Sequence, residues 1–400
     1  MRVLIISWEY APNMIGGLGK HVMELAPALV SQGCQVHVLT PRLNGGPSRE
    51  IAESGIAIYR PDVPLMDRDF IAFNQYVNLL LQEAALKLAD EIGGFDLIHI
   101  HDWLTAPAGI AVKHAWKIPL VATIHATERG RGQGRLLSTQ SEQINAIEWQ
   151  LTYEAWRVIA CSDFMADQVH SYFSTPPDKI DVVPNGVCIQ PSPFTSEADR
   201  LAYRRAFAED AQPLAFYVGR IVYEKGLHIL LDSWPSVLRI YPRARLLIAG
   251  SGPFLADLRQ QASALGISDN VTFGGFITDD ERDKLYHIAS AAVFPSLYEP
   301  FGMVALEAMA ARCPVVVSAT GGLTEVVKPH ETGITVQPGN PQSLTWGLLH
   351  TFQNPPWTQA RVENAYADAR DNFSWEKIAR ETMAVYNHVK AEWDTNSWGK

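Results

Sequence analysis

Residues 1–39 read MRVLIISWEYAPNMIGGLGKHVMELAPALVSQGCQVHVL, and the order of patterns within them decides the fold. Val3 to Ile6 is a short apolar run, Gly16-Gly17-Leu18-Gly19 breaks it, His21 to Gln32 has helical spacing and stops at Gly33, and Val36 to Leu39 is a second apolar run. Strand, glycine loop, helix and strand in that order make a βαβ unit, whose crossover forces the two strands to lie parallel. Working outward, Leu97 to Ile100, Leu120 to Ile124 and Val158 to Cys161 continue the series. The stretch Val182-Val183-Pro184-Asn185-Gly186-Val187 leaves a strand through a proline and an Asn-Gly break, and Pro191 to Glu197 is polar, as a linker is. The pattern then restarts, with strands expected at Leu214 to Val218, Arg245 to Ala249, Val271 to Phe273, Ala292 to Phe294 and Val315 to Ser318. The expected fold class is α/β, with two Rossmann-like doubly wound domains over residues 1–188 and 189–374 that face an interdomain cleft. The segment 375–400, with Trp393 and Trp398, reads as helical and is expected to pack back across the interface.

A length of 400 residues fits two such domains, and 47% hydrophobic with 19% charged residues suits large sheets buried on both faces. A net charge of -10 excludes a binder that grips nucleic-acid backbone through a basic surface. Cys34, Cys161, Cys188 and Cys313 lack CxxC or Cys/His metal spacing and read as reduced thiols of a cytoplasmic protein. The opening apolar run reaches Glu9 and the glycines too soon for a signal peptide, and no run is long enough for a transmembrane segment.

Ligands of doubly wound sheets collect outside the carboxyl ends of the strands, so the loops there are where the chemistry is expected. The most informative is Phe294-Pro295-Ser296-Leu297-Tyr298-Glu299-Pro300-Phe301-Gly302-Met303-Val304-Ala305-Leu306-Glu307. A strand ends, an interrupted loop carries Glu299, and a helix begins near Met303, where free amides offer an anion site for a diphosphate. Gly302 allows close backbone approach. Glu307 lies about 6 Å further along the helix axis, so one carboxylate can meet the sugar while the other accepts from ribose hydroxyls. A glutamate near a helix start also favours the helix dipole with no ligand at all. In Gly219-Arg220-Ile221-Val222-Tyr223-Glu224-Lys225-Gly226, two cations flank the loop after Leu214 to Val218 and can neutralise a departing diphosphate.

In the first half, Gly16-Gly17-Leu18-Gly19-Lys20 matches neither the dinucleotide-binding fingerprint nor a Walker loop, which disfavours hydride transfer. His125 ends a strand and is followed by Arg129, Arg131 and Arg135 among glycines, a pattern suited to a phosphate-bearing acceptor or to ion pairs within the protein. His99 and His101 share one face of their strand beside Asp102; with no third ligand evident, structural or cleft-lining roles are expected. Trp103, Trp149 and Trp156 are candidates for stacking on sugars.

The order and spacing of the Gly16-Gly17 loop, the strand ending at His125, Pro184-Asn185-Gly186-Val187, Gly219-Arg220 with Lys225, Glu299 and Glu307, and Gly321-Gly322-Leu323-Thr324-Glu325 resemble the family-four retaining glycosyltransferases of the GT-B type. That group contains sucrose-phosphate synthases and relatives of glycogen and starch synthases. The resemblance implies that Arg220 and Lys225 hold the diphosphate, Glu307 the ribose, and that Glu299 faces the donor sugar near its anomeric carbon. It further implies a sugar contact from His125 and backbone contacts from Gly17, Gly302, Met303 and Val304, with no metal ion and no cofactor beyond the nucleotide sugar. UDP-glucose as donor and a sugar phosphate such as fructose 6-phosphate as acceptor, gripped by Arg129, Arg131 and Arg135, is the first expectation. Elongation of an α-glucan from ADP- or UDP-glucose is the second, and a non-catalytic sugar-nucleotide binder the third. Two departures bear on the acceptor: Asn13-Met14-Ile15 stands where the larger glycogen and starch synthases carry a lysine, and Leu18-Gly19-Lys20 where sucrose-phosphate synthases have a glutamine-asparagine run.

Overall fold

The computed structural model describes residues 1–64 and 69–398, so residues 399–400 of the expected helical segment lie outside the described residues. The chain divides into two units, one of Met1–Gly186 with Trp375–Lys400 and one of Val187–Ser374.

The first unit is built on the strands β1 (Arg2–Ile6), β2 (Gln35–Leu39), β3 (Arg49–Ile51), β4 (Ala57–Tyr59), β5 (Leu97–His101), β6 (Leu120–Ile124), β7 (Arg157–Ala160) and β8 (Ile180–Val182). They lie in the order β3-β4-β2-β1-β5-β6-β7-β8, parallel throughout except for β3 against β4. Every residue of β5 and β6 is buried, as expected of central parallel strands covered on both faces. His99 and His101 are therefore polar groups inside a fully buried strand and must find partners there.

The helix Trp375–Thr395 belongs to this unit's core. Its buried positions Trp375, Ile378, Ala379, Val385, Tyr386 and Val389 recur at helical spacing and cluster with Val3, Ile5, Leu25 and Leu29. Each large apolar side chain buried this way contributes about 1.5–3 kcal/mol. Gly186 admits the approach of Trp375, since a Cβ on it would lie 2.5 Å from Trp375 Cδ2.

The second unit carries β9 (Leu214–Val218), β10 (Arg245–Ala249), β11 (Val271–Gly275), β12 (Ala291–Phe294), β13 (Val315–Ser318) and β14 (Ile334–Val336). All pairs are parallel, in the order β11-β10-β9-β12-β13-β14. That is the doubly wound order with its reversal between β9 and β12, and a ligand crevice is expected outside their carboxyl ends. The chain enters and leaves this unit at one point, where the Val187 amide donates to the Phe373 carbonyl at 2.7 Å. Among the described residues no helix is long and apolar enough to cross a membrane.

Candidate functional site

In the second unit, the loops after β9 and β12 are joined at the reversal by main chain and side chain together. The Leu297 amide donates to the Glu224 carbonyl at 2.8 Å, and the Gly322 amide donates to the Glu299 carbonyl at 2.9 Å. Lys225 Nζ donates to Glu299 Oε2 at 2.7 Å, and Ser296 Oγ donates to the same oxygen at 3.1 Å. Both charged side chains are largely buried, 17% and 10% exposed, so the low local dielectric strengthens the pair and fixes the ammonium. Arg220 is held more loosely, 3.8 Å from Glu224 with half its side chain in solvent, and is free to reorient toward an anion.

The helix Met303–Ala310 starts at Gly302 without a side-chain cap and without an acidic residue in its first turn. Its leading amides, those of Met303 and Val304, have no intrahelical acceptor and favour negative charge. Gly302 has φ +110°, and a Cβ on it would meet Leu323 Cδ2 at 2.6 Å. Backbone conformation and packing demand glycine here, a reason beyond the close ligand approach expected from sequence. Glu307 lies 3.5 Å from Arg282, which also pairs with Asp279 at 2.6 Å and Asp283 at 2.9 Å. The buried Tyr286 hydroxyl donates to the Val304 carbonyl at 3.1 Å and so braces the same helix start.

In the first unit the strand order reverses between β1 and β5, and imidazoles gather there. His21 comes from the helix Gly17–Ser31 after β1, His101 ends β5, and His125 follows β6. His101 Nδ1 and His125 Nε2 share a hydrogen bond of 3.1 Å, and the His21 ring lies 4.6 Å from that of His125 and 5.2 Å from that of His101. His21 Nδ1 bonds Asn185 Oδ1 at 2.6 Å. Burial pushes His21 and His101 well below the usual imidazole range and, with the nearby Arg131 charge, His125 down to about 3. All three rings are therefore neutral at physiological pH. The His125 amide donates to Asp102 Oδ1 at 2.7 Å. Asp102 sits at φ +56°, a strained conformation for a residue with a side chain, and burial raises its carboxyl to about 6. Glu148, which accepts from the Glu128 amide at 2.9 Å, is raised by burial to about 8 and is protonated at neutral pH.

Comparison with known proteins decides the family. Residues 15–190 match the family described as Glycosyltransferase Family 4, and residues 199–368 match Glycosyl transferases group 1. An uncharacterized glycosyltransferase of Methanocaldococcus jannaschii is 38% identical over 96% of this chain and 98% of its own. The chain is a family-four glycosyltransferase. A glycogen synthase of Mycobacterium tuberculosis is 35% identical to the transferase over 98% of this chain and 95% of its own. The sucrose-phosphate synthase of Thermosynechococcus elongatus superposes with a TM-score of 0.83 at 26% identity, covering 98% of this chain and 99% of that one. The transferase thus has the two parallel-sheet α/β domains of the GT-B type.

Several sequence-derived assignments change once the transferase's side chains are placed. Arg129, Arg131 and Arg135 do not share one setting: Arg129 lies 5.2 Å from the Tyr172 ring, Arg131 is 3.6 Å from Glu128, and Arg135 is exposed. The supposed glycine-rich loop is partly helical, over Glu128–Arg131. Gly17 opens its helix, but the preceding amides of Ile15 and Gly16 both donate to Glu9 at 2.9 Å, so the transferase supplies its own carboxylate there. His99 has both ring nitrogens occupied, by Tyr386 at 2.6 Å and Thr123 at 2.7 Å. His101 shares its hydrogen bond with His125 and has the His99 ring at 4.2 Å and the His21 ring at 5.2 Å, a grouping that strand alternation alone did not reveal. Trp103 is buried, and Trp156 donates to Glu392 at 2.8 Å; Trp149 is exposed and stacks on Tyr153 at 5.4 Å.

Proposed function

We propose that the transferase moves a glucosyl group from a nucleoside diphosphate glucose, UDP-glucose first, to a sugar phosphate such as fructose 6-phosphate, with retention at the anomeric carbon and without a catalytic metal ion. The observation that carries the donor half is the joining of Lys225 and Glu299 beside an uncapped helix start at the β9/β12 reversal. Arg220, Lys225 and the amides of Met303 and Val304 receive the diphosphate, and Glu307, steadied by Arg282, accepts from the ribose. Glu299 faces the sugar, and His125 is a neutral contact to it. The bond from the anomeric carbon to the phosphate oxygen breaks, and the acceptor oxygen bonds to the same face of that carbon. The acceptor's proton passes to the departing phosphate, the base nearest that face. Stabilising the leaving group in this way is worth about 2.7–4 kcal/mol for each well-placed donor.

The acceptor half rests on less common ground among the three arginines than their spacing suggested. Arg131, which faces the Asp102 and His125 region electrostatically, is the strongest phosphate ligand of the three. A second reading, α-glucan elongation from ADP- or UDP-glucose, is favoured by the similarity to a protein named glycogen synthase and by the exposed Trp149 and Tyr153 rings, stacked in nearly parallel planes. The test is to incubate the protein with UDP-glucose or ADP-glucose and measure nucleotide release against fructose 6-phosphate, other sugar phosphates and maltooligosaccharides, with product anomers assigned by NMR. Release dependent on a sugar phosphate with an α-linked product is expected. Extension of maltooligosaccharides alone overturns the first reading for the second, and UDP binding without turnover on any acceptor returns the chain to a sugar-nucleotide binder.

A further inference from the structure

His21, His101 and His125 each offer one ring nitrogen, and the three atoms lie within 4.8 Å of one another. We propose that these three imidazoles form a binding site for a transition-metal ion of the Zn²⁺ class, and that its occupancy inhibits transfer. Two ligand nitrogens about 2.05 Å from a tetrahedral Zn²⁺ stand about 3.3 Å apart. His101 Nδ1 and His125 Nε2 are already 3.1 Å apart, which leaves one small movement to close the set around His21.

The donor chemistry agrees with that geometry. His21 Nε2 is buried with no hydrogen-bond partner, in a residue more than nine-tenths buried. In His21 the other nitrogen bonds the Asn185 carbonyl oxygen, which fixes the N–H on Nδ1 and leaves the Nε2 lone pair directed into the cluster. The single proton between His101 and His125 moves to the far nitrogen of its own ring, and the ion enters with no net proton release. Three imidazoles select Zn²⁺, Cu²⁺, Ni²⁺ or Co²⁺ over Mg²⁺ and Ca²⁺, which require oxygen ligands. A fourth position stays open to water.

Binding stands on the geometry alone, whereas inhibition rests on the reading of His125 as a sugar contact, since a ring that ligates a metal is withdrawn from the sugar. The test begins with chelator-treated full-length protein titrated with Zn²⁺ by calorimetry and with Co²⁺ by visible absorption. One equivalent bound, with the intense Co²⁺ bands of a tetrahedral site, is expected. His21→Gln and His101→Gln are expected to weaken Zn²⁺ binding at least tenfold, while the surface double variant His114→Gln/His388→Gln leaves it unchanged. Zn²⁺ binding that survives His21→Gln, or that is lost in the surface variant, overturns the site. Should either buried variant fail to fold, wild-type protein answers by itself: Zn²⁺ must slow diethyl pyrocarbonate modification of His125, read by mass spectrometry, and an unchanged rate overturns the proposal. Zn²⁺ binding at this site with undiminished nucleotide release keeps the site and overturns only the inhibition.

Discussion

In the second unit the reversal between β9 and β12 carries Arg220, Lys225, Glu299 and, one helix turn on, Glu307, whereas in the first the reversal beside β1 and β5 carries His21, His101 and their neighbour His125. The same topology delivers side chains to the carboxyl ends of parallel strands in both units, yet one set is ionised and cross-paired and the other is neutral and held so by burial. Topology thus supplies a location, and residue type at the strand ends supplies the chemistry. A charged crevice suits a diphosphate that arrives and departs with its charge; a neutral one suits the uncharged face of a sugar.

The contrast is broken most severely by removing the second unit's cation. Lys225→Ala is expected to lower kcat/KM about a thousandfold, because the leaving diphosphate loses a charge and Glu299 is left buried without its partner. Steady-state kinetics with UDP-glucose measure this, and a loss below tenfold would show that the pair is structural. Glu299→Gln keeps the shape and removes the charge; a fall in kcat of about a hundredfold with a small change in donor KM is expected. On the neutral side, the depressed imidazoles make a prediction about stability. His21, His99, His101 and His125 are all lowered in the folded state, so the unfolded chain takes up more protons as pH falls below about 6.5. Asp102 and Glu148, raised by burial, act in the opposite sense, stabilising the fold at low pH and less so as pH rises toward about 6 and about 8 respectively. Four imidazoles outweigh two carboxyls, so acidification from about pH 7 to 5 should lower stability by about 1.4 kcal/mol per pH unit for each net proton, and the unfolding temperature with it. Calorimetry across that range checks the sign, and His99→Gln should flatten the slope.

Much of this contrast was legible before any coordinates, and its gaps have identifiable causes. Strands with continuous apolar runs, such as Leu120–Ile124 and Leu214–Val218, were placed to the residue, because burial on both faces leaves an unambiguous signal. Of the four three-residue strands among the described residues, Ile180–Val182 is marked by the proline and Asn-Gly break after it, whereas Arg49–Ile51, Ala57–Tyr59 and Ile334–Val336 are too short for a period to register. Glu299 and Lys225 were recognisable as functional types, but their contact joins loops 74 positions apart and only the strand order reveals it. The histidine cluster draws on a helix and two strand ends, so no spacing rule could collect it. Arg282 stands among Asp279, Asp280 and Glu281 at a capped helix start, where nothing in the local sequence singles it out, and only the fold brings Glu307 beside it.

Two smaller effects sharpen the comparison further. Arg282→Ala removes an ion-pair partner of Glu307 and should raise donor KM about five- to tenfold with kcat nearly unchanged, the mark of uniform binding lost. Arg135→Ala, at an exposed position, should change acceptor KM by less than about twofold, while Arg131→Ala changes it several-fold; equal effects would restore the three arginines to a single role.

The split nature of the first unit has a consequence for the order in which the protein comes off the ribosome. The chain leaves that unit at Gly186 and re-enters it at Trp375, with the whole second unit synthesised between. At roughly 5–20 residues per second, the helix that covers Val3, Ile5, Leu25 and Leu29 emerges about twenty to seventy seconds after the strand and helix it covers. The unit begun first is therefore completed only after the second has been made, and until then Val3, Ile5, Leu25 and Leu29 lack the cover of that helix.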